Sequence, residues 1–74
     1  MEQYKRRFMC RAISSTITII GYTWYDTETA ARMISYTIRQ DGQKRYLYRG
    51  SDTAAPDLAE IERRASKYNV FKHS

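Results

Sequence analysis

Cys10, His73 and the carboxylate pair Asp26 and Glu28 are the side chains in this chain from which catalysis is most often built. Each reads better as something else. His73 is the single histidine and stands one residue from the last position, where chains fray and a general base is hard to hold in place. Cys10 is the single cysteine, has no histidine near it in sequence, and reads as a small buried hydrophobe. Asp26 and Glu28 sit in "DTETA", where turn capping accounts for both. One cysteine and one histidine fall short of the four ligands of a closed zinc site and exclude an internal disulfide. Gly21, Gly42 and Gly50 form no phosphate-cradling loop. The residues therefore point away from an enzyme, with no cofactor and no metal.

The chemistry that remains is recognition, and it concentrates in "TIRQDGQKRYLYRG", residues 37–50. Asp41-Gly42 between alternating residues is a strong signal for a hairpin with a type I′ turn, because both central positions need positive φ. Counting outward from that turn pairs Gln40 with Gln43, Arg39 with Lys44, Ile38 with Arg45, Thr37 with Tyr46, Tyr36 with Leu47 and Ser35 with Tyr48. One face then holds Ile34, Tyr36, Ile38 and Leu47, with Arg45 and Arg49 along its rim, where their stems are buried and their heads reach water. The other face holds Arg39, Lys44, Tyr46 and Tyr48. Tyrosine and arginine are enriched where proteins bind because they bury large areas at modest entropic cost. The same tyrosines also suit cross-strand pairing with Thr37 and Ser35. Seven tyrosines in 74 residues exceed what a small core can hide with hydroxyl partners, which favours recognition. The candidate partner-binding residues are Arg39, Lys44, Arg45, Tyr46, Tyr48 and Arg49.

A chain of 74 residues makes one domain, residues 1–74, without room for a second core. Cores of this size seldom supply more than roughly 3–5 kcal/mol unless stapled, so good packing or association must compensate. Hydrophobic content of 42% and charged content of 28% are those of a folding chain. No segment reaches the length of a membrane span, and the start lacks the apolar core of a signal peptide, so the expected location is cytoplasmic. The net charge of +5 favours an acidic partner, and Lys5, Arg6, Arg7 and Arg11 form a basic start opposed only by Glu2.

"STITII" and "YTWY" carry the β-branched and aromatic residues of strands. Gly21 between them is expected to mark a bulge that brings Tyr22 and Trp24 onto the face of Ile17 and Ile19. Residues 3–13 fit either a helix (Tyr4, Phe8, Ala12) or a strand (Phe8, Cys10, Ala12), with strand preferred. A capped turn over about 26–31 leads into a strand carrying Ile34, Tyr36 and Ile38. "PDLAEIERRASKYN" predicts a helix over 56–68, with Pro56 in its first turn and an apolar stripe of Leu58, Ile61, Ala65 and Tyr68. Asn69 is its expected stop, after which Val70 and Phe71 return to the sheet. The expected fold is α+β: a three- or four-stranded antiparallel sheet in meander order with the C-terminal helix packed on one face.

"WYDTETAARMISY" followed by "GQKRYLYRG" resembles a pattern in small proteins of phages and mobile elements, in which a Tyr-Asp-Thr-Glu-Thr-Ala turn leads into a strand pair ending aromatic-Leu-Tyr-Arg. The likeness covers about residues 25–50; the Pro56-led helix departs from it, standing where a further aromatic strand would follow a Gly turn. In size, charge and organisation the chain is similar to anti-CRISPR proteins, phage products that bind and disable a host effector complex. That resemblance implies a non-enzymatic inhibitor docking on a host nuclease or surveillance complex. Two alternatives stand beside it: a basic nucleic-acid-binding domain whose Arg39, Lys44 and Arg45 contact phosphate while Tyr46 and Tyr48 stack on bases, and a regulatory homodimer joined by a sheet edge.

Overall fold

The computed structural model describes residues 4–72, with side chains described as far as Tyr68. Strands β1 (Arg6–Ala12), β2 (Ile17–Asp26), β3 (Ala31–Gln40) and β4 (Gln43–Ser51) form one antiparallel sheet in the order β1-β2-β3-β4. A single 3₁₀ turn (Asp52–Ala54) leads to helix α1 (Leu58–Lys72). The fold is α+β, with four strands and the helix after them.

Turn chemistry sets the strand order. Asp41 and Gly42 adopt φ of 53° and 78°, the paired positive values of a type I′ turn, and give β3 and β4 the right-handed twist of a hairpin. At the β2–β3 turn, residues 27–30, the Asp26 carboxylate accepts hydrogen bonds from the Glu28 N–H (3.1 Å) and the Thr29 hydroxyl (2.9 Å). Within the segment that fitted either helix or strand, Arg6–Ala12 forms strand β1.

The core lies between the sheet and α1. Ile17, Ile19, Tyr36, Ile38 and Leu47 from the strands enclose Ile61 and Ala65 of the helix, and Met9, Ile13, Ile34 and Tyr48 pack around them. Ile61 and Ala65 are both 0% exposed, whereas Leu58 and Tyr68 border the stripe at 36%. Burial pushes the Tyr36 hydroxyl above its ordinary pKa, because the phenolate would be charged in an apolar setting. Asp57 caps the helix: its carboxylate accepts the Glu60 N–H at 2.9 Å, satisfying a donor that has no partner within the first turn. Pro56 therefore precedes the helix instead of lying in its first turn. The helix also runs beyond Asn69, its expected stop, to Lys72. The expected return of Val70 and Phe71, as side chains, falls outside the described residues, as does His73.

Two bulges change the faces expected from simple alternation. In β1 the register runs from Arg7↔Tyr22 to Met9↔Gly21, leaving Phe8 as the extra residue. In β4 it runs from Thr37↔Tyr46 to Tyr36↔Tyr48, leaving Leu47 as the extra residue. Both edge strands thus bulge at the level of the central pair Gly21↔Tyr36. Gly21 itself makes no bulge with β3, so the expected change of parity does not occur. Tyr22 and Trp24 stay on the face opposite Ile17 and Ile19. What Gly21 supplies is space: a Cβ there would come within 2.7 Å of both Phe8 and Met9. The Phe8 ring lies over it and meets Tyr36 edge-on, with centroids 5.9 Å apart and planes at 74°.

Candidate binding face

The face opposite α1 is assembled by the register. Arg7↔Tyr22 and Cys10↔Ile20 from β1 and β2, Ser35↔Arg49, Thr37↔Tyr46 and Arg39↔Lys44 from β3 and β4, and Trp24 together point to it. A flat, wet sheet face would leave its middle exposed. Here Ile20 is 1% exposed, Ser35 2% and Trp24 4%, although the helix lies on the other side. Side chains from the two edges cover them. Lys5, just before β1, brings its Nζ to 4.7 Å from the Trp24 ring centroid, and Arg49 of β4 brings its guanidinium carbon to 5.3 Å from the same ring. Arg49 also stands 5.7 Å from the ring of Tyr46. Bulges bend the strand that carries them and increase its twist, and here both edge strands bulge at one level. The face is consequently cupped. Its hollow, about 360 Å³, has Ile20, Ser35 and Thr37 at its base and Lys5, Tyr22, Lys44, Arg45 and Tyr46 around it.

Charge is divided between the two faces. On the helix side, Arg11 pairs with Glu62 at 2.5 Å, and Glu60 pairs with Arg63 at 2.5 Å and Arg64 at 3.2 Å. Arg64 also donates to the Leu47 carbonyl at 3.0 Å, tying α1 to the bulge in β4. On the cupped side, Lys5, Arg7, Arg39, Lys44 and Arg49 make no ion pair with a described carboxylate. Asp26 is the one acid within the four strands, and it ends β2, where its oxygens hold the turn. Lys5, Lys44 and Arg45 line a partly apolar hollow, with Arg7, Arg39 and Arg49 on the same face or its edge, and cations around a concavity set up a positive potential that water and salt screen less than on a convex surface.

The expected site residues divide accordingly. Arg39, Lys44 and Tyr46 lie on the cupped face, and Tyr46 is 55% exposed. Arg49, expected on the rim of the core face, moves to the cupped face. Tyr48, expected beside Tyr46, turns toward α1, where its hydroxyl donates to the Ser51 carbonyl at 2.8 Å. One residue, the bulged Leu47, causes both exchanges: it breaks the expected pairs Tyr36–Leu47 and Ser35–Tyr48 while leaving Leu47 in the core. Arg45 opposes Ile38 on the core side and borders the hollow. Counting from the hairpin misses Lys5, Tyr22, Trp24 and Ile20. The cluster of cations at the start of the chain signals Lys5, but only the β1–β2 pairing brings it to Trp24.

Cys10 is exposed, contrary to the buried hydrophobe expected: β1 is an edge strand whose residues are all exposed except the half-buried Met9. Among the described residues no three His, Cys, Asp or Glu side chains cluster as metal ligands would. No helix among them is long and apolar enough to cross a membrane. Comparison of the chain with protein-family models, with curated proteins and with solved structures finds no match, so the geometry of this face carries the functional reading.

Proposed function

We propose that the protein is a non-enzymatic binding protein that works through its cupped sheet face, docking on an anionic surface of a host nuclease or surveillance complex as an inhibitor of the anti-CRISPR type, encoded by a phage and acting in the host cytoplasm. The observation that carries this reading is the division of charge. On the helix face Arg11, Arg63 and Arg64 pair with Glu60 and Glu62, whereas Lys5 and Lys44 line one hollow, with Arg7, Arg39 and Arg49 on the same face, and none of these five pairs with a described carboxylate. Keeping like charges together costs stability, and a binding face gains from it in on-rate and in choice of partner.

The test is affinity capture from lysates of bacteria carrying a surveillance nuclease, followed by an assay of nuclease activity. The parent protein is expected to retain the complex and lower its activity. Lys44→Glu with Arg49→Glu should lose both effects, and Arg63→Glu on the helix should keep them. Equal loss in the helix variant, or full inhibition by the double variant, would contradict the reading.

A further inference from the structure

The hollow has features that a general attraction to anions does not use. Its base is apolar at Ile20 and carries the Ser35 and Thr37 side chains. One wall is the exposed ring of Tyr46. Cations sit at the edges, Lys5 on the β1 side and Lys44 on the β4 side. A flat ring with hydrogen-bonding groups on its edge, flanked by negative charges, would use all of these at once. Resting on the reading of the cupped face as the working surface, we propose that the hollow takes single-stranded nucleic acid: an unpaired base lies in it against the exposed ring of Tyr46, and the flanking phosphates lie on Lys5 and Lys44.

Duplex fits less well. Its bases are stacked inside and cannot enter a concave site, so only the cations would engage it. An acidic protein segment could satisfy the cations but brings no planar group for the apolar base. Base stacking on an aromatic side chain contributes on the order of 1–3 kcal/mol per base and tolerates any sequence, which suits a face with no dense set of directional donors. The hollow's volume, about 360 Å³, falls in the range of about 300–1,000 Å³ usual for ligand pockets.

Fluorescence anisotropy with the full chain tests this, using a labelled eight-nucleotide single strand, a labelled duplex of the same length, and polyglutamate as competitor. The single strand is expected to bind more tightly than the duplex and to resist polyglutamate. Tyr46→Ala should weaken single-strand binding by about tenfold or more, and Lys44→Ala should reduce the slope of log affinity against log salt by about 0.7. Both residues are exposed, and circular dichroism of each variant verifies the fold. Duplex binding as tight as the single strand's, or full displacement by polyglutamate, would overturn the inference while leaving the cupped face as an anion-binding surface. Absence of binding to every probe would also overturn it. Variants of Tyr46 and Lys44 that leave all binding unchanged would show that binding does not use this face.

Discussion

Tyr46 and Tyr48 would share a face in an unbroken strand; with Leu47 inserted between their partners, they part to opposite sides of the sheet. Tyr46 keeps an exposed ring beside Arg49, whereas Tyr48 spends its hydroxyl on the Ser51 carbonyl at 2.8 Å. The two rings should therefore respond oppositely to loss of the hydroxyl. Tyr48→Phe removes a partly buried hydrogen bond and is expected to cost about 1 kcal/mol in urea denaturation without changing partner binding. Tyr46→Phe should leave stability unchanged. A Tyr48→Phe variant as stable as the parent would show that this bond contributes nothing net, and weakened binding by it would return Tyr48 to the working face. Alternation made the two tyrosines look equivalent in sequence. Nothing local marks Leu47 as a bulge, because a bulge is decided by which residue faces it on the neighbouring strand. Gly21 was ambiguous for a related reason: a glycine within a strand signals either a bulge or a close approach, and here the approach of Phe8 and Met9 is what requires it.

At the scale of elements, α1 is the lid of the core. Its apolar spacing, its acidic first turn and the Asp57 cap are all local, which is why the helix could be read from sequence, and its end could not because no glycine or proline enforces one. Ile61 is fully buried against Ile17, Ile19 and Leu47. Ile61→Asp would place an unpaired carboxylate there, and in a domain this small the several kcal/mol involved should abolish the cooperative thermal transition. Leu58→Asp, at a border position 36% exposed, should only lower the melting temperature. If Ile61→Asp melts with the parent, the helix does not close this core. The strands were legible to a similar degree: the Asp41-Gly42 turn and its nearest pairs follow from the dipeptide alone. The cupped face was only half legible. Arg39, Lys44 and Tyr46 follow from the hairpin, whereas Lys5 and Trp24 meet through pairing of β1 with β2, a contact across 19 positions of chain that no short motif encodes.

At the scale of the whole molecule, a net charge of +5 says less than where the charges lie. The cations of the cupped face, around its hollow, are the proposed place of binding. Salt elution from immobilised heparin, a polyanion that responds to local potential, measures this directly when two double variants of identical net charge are compared. Lys44→Glu with Arg49→Glu alters the cupped face; Arg32→Glu with Arg63→Glu alters exposed positions away from it. Both lower the formal charge by the same amount, and the second gives up only the exposed Arg63–Glu60 ion pair, of about 1 kcal/mol or less. The first variant is expected to elute at markedly lower salt than the parent while the second stays much closer to it. Equal shifts for the two variants would mean that only total charge matters, and would contradict the assignment of function to the cupped face.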